Sequence, residues 1–307
     1  MAFATDPART LPASEATVAG RRIRYFEAGP SSAAVPRRTD TPVVVLLTGA
    51  GDTVSSWLPV QTRLARRARV LAYDRSGMGG SSGSGSDRLD DLVAELEGFI
   101  DAAAPGSSCV LVGHSFGGLL ARVFAQRFPH RVAGLVLLDA TPDRLAESAV
   151  LRRGFGLFVL LGALVRALAP VGLVRALFRL GASPLYPDQR HFESMLDDGA
   201  RRSWRSEVER EVRGGMVPEL RSVLPVSREA RRELAVSSFP AVPVTLVTSS
   251  TYPAVWIRLH EEIARRYARS RHLLTGDRSH YIHMRNVDLT VEAVEDVLAA
   301  VDAAEAH

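Results

Sequence analysis

Hydrophobic residues follow two patterns along the chain, short continuous runs and longer stretches with an apolar residue every three or four positions. Continuous runs are typical of strands covered on both faces, as in the interior of a parallel sheet. The strand-like segments are Val18 to Ala28, Val43 to Leu47, Val70 to Tyr73, Val110 to Val112, Val132 to Leu138 and Val242 to Val247. Helices are predicted at Val54 to Arg67, Leu89 to Ala103, Gly117 to Arg127, Val255 to Ala268 and Leu289 to Ala304. Strands and helices therefore alternate, which predicts an α/β fold with a doubly wound, mostly parallel sheet.

The alternation stops between Thr141 and about Phe239, where the pattern is helical and no strand is convincing. We interpret residues 142–238 as an inserted helical lid, and residues 1–141 and 239–307 as the core domain. The lid has a set of apolar side chains with arginines on the other side. We expect most of the set to pack on the core, although it could also line an apolar pocket or rest on a lipid surface. The set is Phe155, Leu157, Phe158, Leu160, Leu161, Leu164, Leu168, Leu173, Leu177 and Phe178.

A glycine-rich motif, Gly-His-Ser-Phe-Gly-Gly at 113–118, lies between a predicted strand and a predicted helix. A turn tight enough to expose Ser115 at its apex has no room for side chains at Gly113 and Gly117. The amides at the start of the following helix point toward the serine, so the N–H of Phe116 is suited to bind an oxyanion. The motif therefore predicts a nucleophilic Ser115.

These residues give the chain its resemblance to the α/β-hydrolase family, which extends over nearly everything except the lid. Thr48-Gly49-Ala50-Gly51 follows the second apolar strand, where that family usually has a His-Gly pair. The resemblance implies that the N–H of Ala50 is the second oxyanion donor, with Thr48 in place of the usual histidine. The loop at 74–81 is also similar to one of the family's loops, and we interpret it as scaffold.

A serine hydroxyl needs a base within hydrogen-bond reach to become a nucleophile. His280 follows the apolar pair Leu273-Leu274 and precedes the terminal helix, which is where the family places its catalytic histidine. His283, one helical turn further on, is the alternative base. We expect His114, inside the glycine motif, to point away from the reacting atoms.

The acid that would orient the histidine does not follow the family's usual pattern. It normally comes after the strand that follows the lid, but that strand ends in Thr248-Ser249-Ser250-Thr251-Tyr252, without a carboxylate. Asp139 lies at the end of the preceding strand, where haloalkane dehalogenases and some related hydrolases place an alternative acid. Adjacent strand ends of a parallel sheet reach the same histidine, so Asp139 is our choice. The alternatives are that Asp139 only caps a turn, or that the acid is Asp277, which is very close to His280 in sequence.

Serine in the nucleophile position argues against alkyl transfer, for which dehalogenases and epoxide hydrolases use an aspartate, and favours acyl transfer. The expected substrate is a small-to-medium hydrophobic ester, lactone or thioester, with Phe155, Phe158 and Leu161 as candidate substrate contacts. The alternatives are hydrolytic carbon–carbon cleavage of a vinylogous diketone, and a catalytically silent protein that binds a small hydrophobic ligand.

Composition argues against several other classes of partner and cofactor. The 38 basic residues are all arginines, nearly balanced by 34 acidic ones and without interleaved aromatic residues, so we expect no nucleic-acid partner despite a pI near 9.7. Cys109 is the only cysteine, the histidines are dispersed, and no dinucleotide or phosphate loop is evident, so we expect no metal, no cofactor and a cytoplasmic location. Arginines and Pro170 interrupt the apolar stretch Gly154 to Gly181, so we expect no stable membrane insertion. The sequence carries no signal of the oligomeric state.

Overall fold

A single eight-stranded sheet forms the centre of the molecule, as seen in a computed structural model that describes residues 7–30, 42–235, 239–250 and 252–305. The strand order is β1-β2-β4-β3-β5-β6-β7-β8, and only the β1/β2 and β2/β4 pairings are antiparallel. The strands are β1 (Ala13–Val18), β2 (Arg21–Ala28), β3 (Val43–Leu47), β4 (Val70–Tyr73), β5 (Cys109–His114), β6 (Val132–Leu138), β7 (Val244–Ser249) and β8 (Ser270–Thr275). The prediction of a mostly parallel sheet is confirmed.

Helices cover both faces of this sheet and bury two hydrophobic clusters. One cluster lies under α2, α3 and α9, and the other lies under α1 and α11. Because β3, β5 and β6 are buried along their whole length or nearly so, their sequences are continuous apolar runs. The helices are α1 (Leu58–Leu64), α2 (Leu89–Ala103), α3 (Phe116–Arg127), α4 (Ala149–Leu168), α5 (Leu173–Leu180), α6 (Gln189–Ser194), α7 (Asp198–Arg213), α8 (Met216–Leu234), α9 (Ala254–Arg265), α10 (Ile282–Arg285) and α11 (Val287–Glu305).

The structure differs from the sequence predictions at three elements around the central strands. The strand predicted at Val18 to Ala28 is one arm of the β1/β2 hairpin, whose turn at Ala19 and Gly20 has positive φ angles of 46° and 75°. Strand β8 was not predicted, because an edge strand with exposed positions lacks a continuous apolar run. The helix predicted at Val54 to Arg67 begins with a short 3-10 turn and ends at Leu64.

The segment between β6 and β7 contains five helices, α4 to α8, and no strand within its described residues. This agrees with the helical pattern of the sequence. Residues 236–238 lie outside the described part of the chain, so the boundary of the insertion at 238 stays a prediction.

The apolar set of the insertion divides into packed and exposed members. Phe178 is buried and Phe155, Phe158, Leu161 and Leu177 are half-buried, whereas the side chain of Leu173 lies outside the described residues. The other four side chains are 48–67% exposed, against the expectation of packing, because α4 contacts the rest of the protein on one side only. They are Leu157, Leu160, Leu164 and Leu168.

Helix α4 is also longer and more continuous than the sequence indicated. With the 3-10 turn that follows it, it forms one helical segment, Ala149–Val171, of 23 residues and mean hydropathy 2.0. By length and composition alone this segment could cross a membrane, and only 17% of its most apolar window is buried against the protein. The difference arises because Pro170 lies in the terminal turn, where it does not break the helix.

Candidate active site

Ser115 lies at a sharp bend between β5 and α3. Its φ and ψ angles are 50° and −115°, a conformation that is costly for a residue with a side chain. A Cβ atom at Gly113 would lie 2.5 Å from the Gly118 Cα, and one at Gly117 would lie 2.4 Å from the Leu47 carbonyl oxygen. The two glycines therefore allow the bend that holds the serine hydroxyl at the carboxyl edge of the sheet.

The structure brings Ser115, His280 and Asp139 together. The hydroxyl oxygen of Ser115 lies 2.9 Å from Nε2 of His280, and Nδ1 of His280 lies 3.5 Å from Oδ2 of Asp139. Ser115 and His280 are 165 residues apart in the sequence. Ser115 and Asp139 follow the ends of β5 and β6, and His280 lies in the loop after β8. The order hydroxyl, imidazole, carboxylate is the one that acyl transfer by a serine requires.

Asp139 is held rigidly at the end of β6. It is fully buried, and its Oδ1 accepts hydrogen bonds from the Ser249 amide at 3.0 Å and from the Trp256 indole at 3.1 Å. Its φ angle of 41° is, with those of Ala19 and Ser115, one of three positive φ values among the described non-glycine residues. Oδ2 has no other hydrogen-bond partner among the described residues and faces Nδ1 of His280, so the role of Asp139 as the acid stays a prediction that this geometry supports.

Asp277 faces other groups. Its Oδ2 accepts hydrogen bonds from the Thr275 hydroxyl at 3.1 Å and from the Asn286 amide at 3.0 Å, and Arg285 lies 3.4 Å from Oδ1. Burial raises the pKa of Asp277, but these hydrogen bonds and the Arg285 charge outweigh it and lower the pKa below its usual value. The geometry thus gives Asp277 a role in shaping the loop that carries His280.

Two more histidines beside the site, His114 and His283, are buried and contact the residues around it. Nε2 of His114 donates to the backbone carbonyl of His280 at 2.9 Å, and Nε2 of His283 lies 3.3 Å from the Ser56 hydroxyl. Burial lowers the pKa of both rings, so they are neutral at pH 7. His280, and not the alternative His283, is the histidine in contact with Ser115.

One group of side chains has the composition of a metal site. Asp52, His114 and His283 offer ligand atoms within 4.8 Å of one another, and all three are buried. However, the Gly49 backbone lies so close to His114 that an added Cβ would be 2.7 Å from its Nδ1. Nε2 of His114 also donates to the His280 carbonyl oxygen, so we interpret the group as a support for the His280 loop. The absence of a metal stays a prediction.

Two backbone amides are positioned to bind an oxyanion. The N–H groups of Phe116 and Ala50 have no hydrogen-bond acceptor within the described ranges. Phe116 is the first residue of α3, where amides have no partner within the helix. The loop of Ala50 lies beside the serine, because a Cβ on Gly49 would be 3.4 Å from the Ser115 Cβ. Both predicted donors thus lie next to Ser115.

Arg75, which no sequence pattern identified, fixes this loop, residues 48–51, which we call the oxyanion loop. Its buried guanidinium donates to the carbonyl oxygens of Thr48 and Gly49 at 2.9 and 2.8 Å, and to Glu219 of α8 at 2.6 Å. The second oxygen of Glu219 accepts the Gly51 amide at 2.5 Å. Arg75 and Glu219 therefore hold the oxyanion loop against the insertion. Nothing in the sequence pairs two residues 144 positions apart, although an arginine within a glycine-rich loop is a signal of such a role.

A second buried polar cluster, which contains Asp74, Glu207 and Glu211, joins α7 to the loops at the carboxyl edge of the sheet. Burial raises the pKa of Asp74 to about 6, although Arg24 at 3.0 Å acts in the opposite direction. Burial, and then the charge of Asp74, raises the pKa of Glu211 to about 8. Glu211 accepts the Gly79 amide at 3.1 Å, and Glu207 accepts the hydroxyl of Ser55 at 2.7 Å. The loop at 74–81 is thus scaffold, as predicted, but it is bound to the insertion.

The candidate substrate contacts lie on the half-buried side of α4. Phe155, Phe158 and Leu161 pack against the hydrophobic core. Aromatic rings surround His280, among them Tyr252 at 5.6 Å between ring centroids. An apolar environment next to the imidazole is consistent with the predicted substrate class, but the contact of these three side chains with a substrate stays a prediction.

Comparison with known proteins places the chain in a family. A family profile described as alpha/beta hydrolase fold matches residues 42–284. The chain is 41% identical over 102 residues to 2-hydroxy-6-oxo-2,4-heptadienoate hydrolase of Pseudomonas putida, which is 32% of this chain and 37% of that one. It is 35% identical over 104 residues to pimeloyl-[acyl-carrier protein] methyl ester esterase of Sodalis glossinidius, or 34% and 38% of the two chains. These matches thus span well under half the length of either relative.

The fold is similar over nearly the whole chain to that of solved structures. The enol-lactonase from Burkholderia xenovorans superposes with a TM-score of 0.65 and 20% identity, covering 93% of this chain and 100% of that one. At this identity the likeness concerns the fold alone. Together with the match over residues 42–284, it shows that the chain belongs to the family of proteins with the alpha/beta hydrolase fold.

Proposed function

We propose that this protein is a serine hydrolase that cleaves a small-to-medium hydrophobic ester, lactone or thioester through an acyl-enzyme. The observation that carries the proposal is the 2.9 Å contact between the Ser115 hydroxyl and Nε2 of His280, with Asp139 behind the imidazole. Both curated relatives described above are named as hydrolases or esterases, which supports a hydrolytic reaction.

In this mechanism Ser115 attacks the carbonyl carbon while its proton moves to Nε2 of His280. The N–H groups of Phe116 and Ala50 bind the oxygen that becomes negative. Collapse of the tetrahedral intermediate breaks the bond to the alcohol or thiol, which takes the proton from Nε2. Water then attacks the acyl carbon and gives a proton to His280, and the acid leaves as Ser115 regains its proton. Asp139 keeps the proton of the neutral imidazole on Nδ1.

We further propose that residues 142–238 act as a lid over this site. The support is the contact of α8 with the oxyanion loop, because a Cβ on Gly51 would lie 2.8 Å from the Met216 side chain. Glu219, one turn further along α8, binds the Gly51 amide. A lid in this position would bound the acyl pocket with the apolar side of the insertion.

Labelling with a fluorophosphonate tests the proposal directly. We expect the wild-type protein to gain one phosphonyl adduct, located on Ser115 by peptide mass spectrometry, and Ser115→Ala to gain none. Turnover of p-nitrophenyl esters of rising chain length then tests the substrate class. A folded wild-type protein without label would support a silent binding protein, and turnover confined to short, charged acyl groups would refute the hydrophobic substrate.

Carbon–carbon bond hydrolysis is the second candidate, and the match to 2-hydroxy-6-oxo-2,4-heptadienoate hydrolase favours it. The same serine, histidine and acid types serve both reactions. Cleavage of that vinylogous diketone without turnover of esters would make it the better assignment.

A further inference from the structure

The outer face of α4, in which we include the 3-10 turn that follows it, is an exposed apolar surface defined by Val150, Leu157, Leu160, Leu164, Leu168 and Val171. Their side chains are 60, 67, 55, 54, 48 and 80% exposed. The spacings of three, four and seven residues place them on one side of the helix. Of the eight large hydrophobic side chains that the described residues expose, these six and Leu180 of α5 lie in this one region. Single exposed apolar residues are ordinary, whereas a continuous stripe marks an interaction surface.

The opposite side of α4 packs against the protein. Leu151, Gly162 and Val165 are buried, and a Cβ on Gly162 would lie 3.5 Å from Leu220 of α8. A helix that crosses a bilayer on its own needs lipid contact all round, which this packing prevents while the insertion is folded. The outer face is therefore suited to lie on a membrane surface without crossing it.

Arginines accompany this face and acidic residues do not. Between Ser148 and Pro187 the sequence contains five arginines and no aspartate or glutamate. The five are Arg152, Arg153, Arg166, Arg175 and Arg179. Two copies of the protein joined through this region would bring like charges together, which disfavours a symmetric dimer. A surface that is both apolar and negatively charged matches the region in both respects.

A basic cleft lies between α5, the helix that follows α4 in the chain, and α7. Its volume is about 300 Å³, and four arginines contribute to its lining together with Glu209. Arg175 is bound to Glu209 and Arg205 to Glu193, whereas Arg179 and Arg202 have no ion-pair partner among the described residues. Two unpaired guanidinium groups at a cleft are suited to bind a phosphate group.

We propose that the insertion docks on an anionic lipid bilayer. The outer face of α4 enters the boundary between headgroups and acyl chains, and Arg179 and Arg202 bind lipid phosphates. This docking does not depend on the proposed hydrolase activity, since Ser115 takes no part in it.

Flotation with phospholipid vesicles tests the docking. We expect the full chain to bind vesicles of phosphatidylcholine with phosphatidylglycerol at least about tenfold more strongly than vesicles of phosphatidylcholine alone, and to be released by high salt. Ser115→Ala is expected to bind as the wild type does. A loss of vesicle binding can thus be distinguished from a loss of hydrolase activity.

Matched variants test the two parts of the surface. The combined change of Leu157, Leu160 and Leu164 to serine should weaken vesicle binding by about tenfold or more, because each side chain contributes buried apolar area on the membrane. Leu274→Ser, on β8, removes a leucine that is 55% exposed elsewhere and should have no effect. These positions are exposed, so all variants should keep the wild-type melting temperature.

The arginine pair requires a control of equal charge. Arg179→Ala with Arg202→Ala should lower binding to anionic vesicles several-fold, whereas Arg66→Ala with Arg258→Ala, two exposed arginines on other parts of the surface, should lower it less. Equal binding to neutral and anionic vesicles, no binding to either, or an unchanged triple-leucine variant would overturn the proposal. A dimer in solution that the triple-leucine variant dissociates would assign the face to a second copy instead.

Discussion

Apolar side chains are buried at the carboxyl edge of the sheet, whereas many of them are exposed along α4 of the helical insertion. At the sheet edge, apolar runs are buried and hold the strand ends so firmly that Ser115 and Asp139 keep unfavourable backbone angles. In the insertion, the leucines on the outer face of α4 are exposed, whereas α7 and α8 pack into the hydrophobic clusters and bind loops at the sheet edge through buried carboxylates. The same residue type is thus buried where the reacting groups are held and exposed along α4.

The two regions are therefore suited to different tasks. The sheet edge is suited to chemistry, which needs atoms fixed within a fraction of an ångström. The outer face of α4 is suited to docking, because its leucines are exposed.

The largest effect should come from the nucleophile. We expect Ser115→Ala to lower kcat/KM for p-nitrophenyl esters by a factor on the order of 10⁵, because no other group can form the acyl-enzyme. The melting temperature should stay unchanged, since the side chain contributes little to packing. The control is Ser84→Ala, at an exposed serine of a surface loop. Residual turnover near the wild-type rate would remove Ser115 from the mechanism.

The next largest effect should identify the acid. We expect Asp139→Asn to lower kcat by about 10³ to 10⁴, because the amide would favour the wrong histidine tautomer and would not stabilise the imidazolium. Asp277→Asn is the matched control, and a loss of less than about tenfold is expected because its carboxylate binds Thr275 and Asn286. A larger loss in the Asp277 variant would transfer the acid role to that residue.

A smaller effect is expected where the insertion contacts the oxyanion loop. Glu219→Gln keeps the shape of the side chain but removes the charge that balances the buried Arg75, so the carbonyls and amides of the loop should become less fixed. We expect kcat to fall about tenfold, with little change in KM. Glu209→Gln, in the same insertion but bound to surface arginines, should leave kcat unchanged. A change in KM alone would indicate a role in substrate binding.

The smallest effect concerns stability and pH. The folded protein keeps the Glu211 proton up to about pH 8, whereas the unfolded chain releases it near pH 4.5. The unfolded state therefore binds fewer protons between these values, and the free energy of unfolding falls as pH rises through this window. Glu211→Gln should abolish this loss, so the variant should gain stability over the wild type at pH 8 but not at pH 4.5.

Thermal unfolding at both pH values measures this difference. Glu209→Gln is again the control, because arginine partners lower the pKa of Glu209 and no gain at high pH is expected. A Glu211 variant with the same change in melting temperature at pH 4.5 and pH 8 would show that the effect is one of packing.

The sequence by itself determined the central strands of the sheet and the position of the serine. The apolar runs of β3 to β7 and the glycines at 113 and 117 act through neighbouring residues, and such local constraints are readable along the chain. The meeting of Ser115, Asp139 and His280 at the carboxyl edge of the sheet was also predictable, because parallel strands bring their carboxyl ends to one edge.

Only the tertiary structure decided which groups touch and which face solvent. Arg75 meets Glu219 across 144 residues, and Asp277 turns to its own loop, through contacts that no local pattern specifies. The leucines of α4 have the same periodicity whether their outer face is covered or bare. Burial is a property of the assembled neighbours and not of the helix, so the exposed face could be recognised only after the chain had folded.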